Sequence, residues 1–195
     1  MILLDPDLEP DPAPTTTSAK RTVTSGKNLR LPSARTLARF LALAKETVRL
    51  RGQVTVLLTT DVAIRKLNRQ FRGKDKATDV LSFPAEGSFP AEGSFPAEGI
   101  GSEKIAGDLA ISVPTALKQA VEQNHSLSTE IKILVLHGLL HLAGHDHHAD
   151  NGKMARSERQ LRVKLGLPQG LIERAQTKRF NKLTKIKVSP TAGGR

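Results

Sequence analysis

The chain of 195 residues contains no cysteine. This absence excludes a disulfide framework, a thiolate zinc finger, an iron–sulfur cluster and a thiol nucleophile. Histidine, aspartate and glutamate therefore remain as the candidate ligands for any metal ion.

Aromatic side chains are also scarce, with no tryptophan, no tyrosine and only six phenylalanines. Two of the six, Phe89 and Phe95, lie inside a short repeat. Proteins that hold single-stranded nucleic acid combine positive charge with stacking of bases on aromatic rings. With so few rings available, we expect any contact of this chain with nucleic acid to be mainly electrostatic.

Long apolar runs are missing as well. No window approaches the roughly 18 uncharged apolar residues of a membrane helix. The start, MILLDPDLEPDP, lacks the basic and apolar regions of a secretion signal. We therefore expect a soluble, cytoplasmic protein that has no membrane partner.

The charge of the chain is positive and unevenly distributed, with a net value of +11. Asp5, Asp7, Glu9 and Asp11 precede the first base, so all 30 lysines and arginines follow this acidic start. Such a basic excess favours a polyanionic partner, of which RNA and DNA are the commonest. The alternative is that the charge serves only solubility.

Length and composition predict one globular domain between two unstructured ends. Residues 1–18 are rich in Pro, Asp and Thr and are expected to form a disordered, dispensable lead. The single globular domain is expected over residues 19–170, followed at 171–195 by a basic tail, either a frayed helix or an arm able to bind phosphate. SFPAEG occurs three times over residues 82–99, and we expect the copies at 88–99 to extend a surface loop without a catalytic role.

Hydrophobic periodicity predicts a series of helices and strands. Strands are expected over residues 53–59, 80–83 and 107–112, with a further short strand between 20 and 31. The expected helices run from an N-cap at Ser33 to Gly52, from a cap at Asp61 to Gly73, from Pro114 to Gln123, onward from a cap at Ser128 or Thr129, and from Asn151 to Gly166.

The stretch LVLHGLLHLAGHDHH, residues 134–148, carries five histidines on an aliphatic background. His137 and His141 are four residues apart, so on a helix they share one face and can present ring nitrogens to one ion. Gly144 can take a positive φ and end the helix, turning the chain so that His147 becomes a third ligand. Three imidazoles with an open coordination position suit zinc best, and nickel or copper fit the same nitrogens.

The competing interpretation is a set of hydrogen-bonded core and loop histidines that hold no metal. We favour this ordinary role for His125, at a helix end, and for His148, in the loop. His145 is a candidate to line the pocket or to orient Asp146.

The histidine spacing matches the metzincin zinc signature H-E-x-x-H-x-x-G-x-x-H except at one position. Where that motif has a glutamate as general base, this chain has Gly138. The substitution keeps the ligand spacing and removes the group that takes the proton from water in peptide hydrolysis. The sequence therefore favours a metal site and disfavours a metalloprotease.

Three blocks, LNRQFRGKDKATDVLSFP, GDLAIS and LHGLLHLAGHDH, follow one another along the chain. Together they closely resemble the YbeY family of bacterial metal-dependent endoribonucleases, over about residues 31–166. The resemblance implies an α+β fold, with a small mixed β-sheet of about four strands flanked by about five helices and a zincin-like three-histidine metal site. It also implies action on single-stranded RNA in small-subunit (16S) rRNA 3′-end maturation, ribosome assembly and quality control, with the ribosome or a ribosomal subunit as partner.

The resemblance also assigns residues. The metal histidines of the family correspond to His137, His141 and His147, and its functionally important arginine corresponds to Arg72. An arginine just past a helix end can clamp a phosphate and stabilise charge on the scissile group, although without the family a surface charge at a helix C-terminus is the simpler interpretation. The chain departs from the family at His145, where a tyrosine is usual, and in its additional SFPAEG copies.

These observations lead to the hypothesis of a zinc-dependent, single-strand-specific endoribonuclease whose cutting depends on Arg72 and His141. The metal either polarises a phosphoryl oxygen, activates water for in-line attack, or stabilises charge while the 2′-OH of the substrate attacks. Candidates for a general base are His145, Asp146 and Asp108. A second hypothesis is a non-catalytic RNA-binding ribosome-assembly factor with a structural metal, which predicts no turnover.

Overall fold

The computed structural model describes residues 1–8, 30–85, 104–145 and 150–168. These residues form four strands and five α-helices, which confirms the expected α+β fold with a small sheet. In chain order they are β1 (Ile2–Leu4), α1 (Ala34–Val48), β2 (Gln53–Thr59), α2 (Asp61–Arg72), β3 (Val80–Pro84), β4 (Ile105–Ser112), α3 (Val113–Glu122), α4 (Leu127–Leu142) and α5 (Lys153–Lys164).

The sheet is mixed, with the strand order β1-β2-β4-β3. β1, β2 and β4 run parallel to one another, and β3 pairs antiparallel with β4 at the edge of the sheet. One face of the sheet packs against α1 and α4 in the main core, which includes Leu109 and Leu134. The other face is covered by α2, where Ile64 packs against Leu81 and Ala110. The helices α2 and α4 therefore lie on opposite faces.

The central helix α4 is apolar on all sides, and 12 of its 16 residues are buried. A helix of this kind is stable only inside a fold, and α4 is enclosed by the sheet, α1, α3 and α5. Its enclosure places His137 in the protein interior. Although α4 is apolar, neither it nor any other helix in the described part of the chain is long and apolar enough to cross a membrane.

Gly138 lets α4 lie close against the sheet. A Cβ at this position would come within 2.7 Å of Leu109 Cδ2 and 3.3 Å of Ser82 Oγ. Both neighbours are side chains of the sheet, so a larger residue would force the buried Leu109 side chain or the helix to shift. Gly138, which stands where the metzincin motif has a glutamate, is therefore favoured by the close packing of α4 on the sheet.

Helix α1 begins as the sequence predicts, with the Ser33 side chain as its N-cap, but it ends earlier than expected. The last helical residue is Val48, and Arg49 adopts the left-handed conformation that closes the helix. Gly52 instead lies directly before β2, where the backbone passes close to Lys104. A Cβ at Gly52 would lie 2.5 Å from the carbonyl oxygen of Lys104, so only glycine fits there. The predicted helix end at Gly52 is therefore wrong.

Two predicted caps are also misplaced. Thr60, and not Asp61, is the N-cap of α2, and Ser126, and not Ser128 or Thr129, is the N-cap of α4. In each case the cap hydroxyl accepts a hydrogen bond from the backbone N–H three residues later. Asp61 is the first helical residue, and its carboxylate accepts hydrogen bonds from hydroxyls at the start of α3.

The first residues of the chain form a strand, so the prediction of a disordered lead is wrong for residues 2–8. β1 runs parallel to β2 with Ile2 opposite Val56, and the N-terminal ammonium donates to the Val54 carbonyl over 2.6 Å. A 3₁₀ turn at Pro6–Leu8 follows. The rest of the lead, most of the segment 20–31 expected to hold a strand, the repeat copies at 88–99 and the tail 171–195 lie outside the described residues.

Candidate metal centre and its surroundings

The last two turns of α4 bring His137 and His141 together. Their Nε2 atoms are 3.1 Å apart, and the ring centroids are separated by 4.7 Å with an interplanar angle of 76°. Two nitrogens that each lie roughly 2.0–2.1 Å from one tetrahedral zinc ion are about 3.3–3.4 Å apart. The two histidines are therefore spaced as a pair of ligands to one metal ion would be.

A buried carboxylate on α5 supports the first of these histidines. Glu158 Oε1 lies 3.4 Å from His137 Nδ1, and the two residues are only 2% and 5% exposed. A carboxylate in this position favours the tautomer of His137 that carries its proton on Nδ1 and its lone pair on Nε2, the atom that faces His141. Histidines that bind metals commonly have such an acidic partner on their other nitrogen. The donor set therefore fits a metal ion.

The sequence analysis did not identify Glu158, although α5 contains a signal for it. Met154, Glu158, Leu161 and Leu165 recur at helical spacing, so an acid stands within the apolar face of an otherwise charged helix. Met154, one helical turn before Glu158, is fully buried. A carboxylate in that position requires a polar partner from another element.

Gly144 ends α4 in the way the sequence predicts. Its φ is +86°, and the backbone N–H groups of Gly144 and His145 donate to the carbonyls of His141 and Leu140, each over 3.0 Å. This pair of bonds is the Schellman arrangement, in which a left-handed glycine turns the chain out of the helix axis. The chain thus leaves α4 immediately after the second histidine.

The expected third ligand, His147, lies outside the described residues, as do Asp146 and His148. Within the ranges that the structure describes, no three histidine or acidic side chains converge on a common metal position. His147 therefore stays a prediction from the sequence. His145 is described and half-buried.

Arg72 is the exposed last residue of α2. Its neighbour Phe71 packs on Phe83 of β3, with ring centroids 5.2 Å apart. The preceding β3 residue, Ser82, has its hydroxyl 3.5 Å from the carbonyl oxygen of Gly138 in α4. Because successive strand side chains point to opposite faces, the end of α2 and the histidine helix lie on the two sides of the edge strand β3.

The loop that follows Arg72 is hydrogen-bonded to side chains of α2. Arg65 donates two hydrogen bonds of 2.7 Å to the carboxylate of Asp75, and the Asn68 amide donates to the carbonyl of Lys76 over 2.6 Å. The hydrogen bonds from Arg65 lower the pKa of Asp75, and the same bonds raise the pKa of Arg65. The pairing compensates the negative charge of Asp75.

Two other candidate residues lie away from the histidine pair. Asp108 is exposed and pairs in register with Phe83, so it faces the α2 side of the sheet, opposite to α4. It is therefore not placed to act as a general base for the histidine site. His125 contacts the buried carboxylate of Glu130 in the first turn of α4, which agrees with its expected ordinary role.

Comparison with known proteins finds a family model, several curated relatives and a solved structure that resemble this chain. A family model described as Endoribonuclease YbeY matches residues 21–166. The protein named Endoribonuclease YbeY from Koribacter versatilis is 48% identical over 161 residues, which are 83% of this chain and 95% of that protein. The one from Solibacter usitatus is 47% identical over 149 residues, 76% and 88% of the two chains. A solution structure from Thermotoga maritima covers 85% of this chain and 96% of its own, with 24% identity and a TM-score of 0.45.

Proposed function

The chain belongs to the YbeY endoribonuclease family, and from this premise we propose that it is a metal-dependent endoribonuclease that cuts single-stranded RNA. The observation that carries the proposal is the pairing of His137 and His141, with Nε2 atoms 3.1 Å apart, beside the buried carboxylate of Glu158. Burial of His137 and Glu158 beside a third titratable group is unfavourable in an apolar core, because buried polar groups must be desolvated on folding. Binding of a metal ion by the histidines would account for this arrangement.

We propose zinc as the metal, with nickel as the alternative, held by His137, His141 and His147. Neutral imidazoles are ligands that both ions accept. When bound, the ion would supply Lewis acidity at a phosphoryl oxygen of the RNA backbone. Glu158 would keep His137 in the tautomer that can bind it, and the close packing at Gly138 would hold the helix that carries two of the ligands.

Arg72 is proposed to bind a backbone phosphate of the RNA that is cut. Its guanidinium is exposed at the end of α2, and the first acid that follows it in the chain, Asp75, is paired with Arg65. A guanidinium can hold two phosphate oxygens at once and stabilise the charge that develops on them. Arg72 would thus position the RNA from the opposite side of β3.

In the cell, we propose that the protein acts in the cytoplasm on small-subunit rRNA, in 16S 3′-end maturation, ribosome assembly and quality control, with the ribosome or a ribosomal subunit as partner. The net charge of +11 is consistent with an RNA partner. A second candidate is an RNA-binding assembly factor in which the metal is structural. The contact between His137 of α4 and Glu158 of α5 is compatible with it, since a metal on Nε2 of His137 would also order the ring that Glu158 contacts.

Cleavage of a labelled single-stranded RNA distinguishes the two. The wild type is compared with His141→Ala, Arg72→Ala and the control Arg35→Ala, which removes an exposed arginine on α1. Circular dichroism verifies folding, and bound metal is quantified for each variant.

We expect the wild type and Arg35→Ala to cut equally. His141→Ala should lose both metal and cutting, whereas Arg72→Ala should keep its metal and cut about 100-fold more slowly. Equal residual cutting by all four proteins would indicate a contaminating nuclease and would favour the assembly factor.

A further inference from the structure

We propose that the exposed ring of Phe71 is a platform on which a base of single-stranded RNA stacks, next to Arg72. This inference rests on the proposed function, in which RNA is the substrate. It adds a specific contact where the sequence led us to expect mainly electrostatic binding.

The ring of Phe71 is unusually accessible for a phenylalanine. It is 59% exposed, whereas Phe40 is 8% exposed in the core. Phe83 contacts it in an edge-to-face arrangement, with centroids 5.2 Å apart and an interplanar angle of 69°. A ring held on one side and open on the other is already ordered before a ligand arrives, so stacking on it costs little conformational entropy.

The surroundings of this ring are strongly basic. Residues 61–76 carry six lysines and arginines, all exposed, against two acids. Arg69 and Arg72 stand in the same last helical turn as Phe71. Of the two acids, Asp75 is bound by Arg65, so its charge does not repel a phosphate.

A nucleic acid suits this surface better than another protein does. The centres of protein interfaces are depleted in charged residues, whereas Phe71 lies among exposed cations. Single-strand binding sites combine a positive surface for the backbone with an aromatic ring for a base. The position of Phe71 beside Arg72 would let one nucleotide stack while a neighbouring phosphate meets the guanidinium.

The test uses the full-length protein and a single-stranded RNA that carries 5-iodouridine, a base that crosslinks to an adjacent aromatic ring on irradiation. Phe71→Leu removes the aromatic face and keeps an apolar side chain against Phe83. Phe71→Trp keeps an aromatic face. Val62→Ala, which truncates a 65% exposed side chain in the first turn of the same helix, is the matched control.

We expect mass spectrometry to find the crosslink at residue 71 in the wild type. Phe71→Leu should weaken single-strand binding about five-fold or more. Phe71→Trp and Val62→Ala should bind at least about as tightly as the wild type, and a duplex of the same sequence should not respond to the Leu substitution.

Binding and cutting are scored separately in the same samples. Unchanged binding by Phe71→Leu, or a crosslink that maps elsewhere, would overturn the platform even if the wild type cuts RNA. A crosslink at residue 71 that is lost with Phe71→Leu, in a protein that does not cut, would support the platform and reject the endoribonuclease. Absence of any single-strand binding by the wild type would overturn both.

Discussion

Substitution of Glu158 by glutamine is expected to weaken metal binding while the chain stays folded. The carboxylate is 2% exposed and lies 3.4 Å from His137 Nδ1, so it can fix the tautomer of that ligand. Glutamine has nearly the same shape and fills the same space, but it lacks the negative charge that accepts the Nδ1 proton of the ligand. Loss of such a partner typically costs 10- to 100-fold in metal affinity.

The lower end of that range gives a measurable effect on stability. A ten-fold loss of affinity is about 1.4 kcal/mol, so a given excess of zinc stabilises the variant by about 1.4 kcal/mol less than it stabilises the wild type. For a domain of this size, the zinc-induced rise in Tm should shrink by roughly 3–6 °C. Thermal unfolding of both metal-free proteins gives the effect of the substitution on the fold itself, which is subtracted from the effect of zinc.

Chelator competition measures the zinc affinity, and thermal unfolding with and without zinc measures the Tm difference. The matched control is Glu130→Gln, which replaces another fully buried carboxylate beside a histidine, at the opposite end of α4. That change should affect stability and leave zinc affinity unaltered. Wild-type zinc affinity and an undiminished zinc-induced Tm shift in Glu158→Gln would refute the supporting role of this carboxylate.

Three further changes test the fold around the site. Deletion of residues 1–8 removes β1 and should lower the free energy of unfolding by roughly 2 kcal/mol in a denaturant titration, whereas an unaltered value would mean that the lead is dispensable. Gly138→Ala should destabilise by about 1 kcal/mol, because the clash at 2.7 Å with Leu109 outweighs the gain in helix propensity; increased stability would contradict the packing argument. Arg65 lowers the pKa of Asp75, so their ion pair stabilises the folded protein above about pH 4. This contribution to stability disappears as the pH falls through the lowered pKa. The stability difference between wild type and Asp75→Asn should therefore vanish in acid, and a difference that persists there would exclude this origin.

Local signals predicted the central elements well. The strand over 53–59 has the bounds that were expected, because β-branched and apolar residues fill it and a cap follows directly. The cap at Thr60 was misassigned by one residue and the cap at Ser126 by two or three, because neighbouring Asp, Ser and Thr side chains have similar capping preferences, and only the fold selects among them.

β1 could not be predicted from local pattern. Three residues in an acidic, proline-rich segment carry little periodicity, and the strand exists because β2 offers it an edge more than 50 positions along the chain. Such pairing depends on contacts that are distant in sequence, which local propensity does not encode.

The candidate site was predictable to the extent that it lies on one helix. The spacing of His137 and His141 fixes their common face before any tertiary structure is known. Glu158 comes from another helix and Phe71 from the other side of the sheet, so their roles depend on packing. The structure, and not the spacing, shows that one is buried against a histidine and the other is exposed beside Arg72.

The central claim is that RNA cutting requires the metal ion proposed to be held by the histidines of α4 and the following loop. The most direct measurement is the single-turnover cleavage rate of a single-stranded RNA by metal-free protein titrated with zinc, with bound zinc determined at each point. The account predicts a rate that rises in proportion to bound zinc and levels off at about one ion per chain. Full-rate cleavage by protein that holds no metal would contradict it.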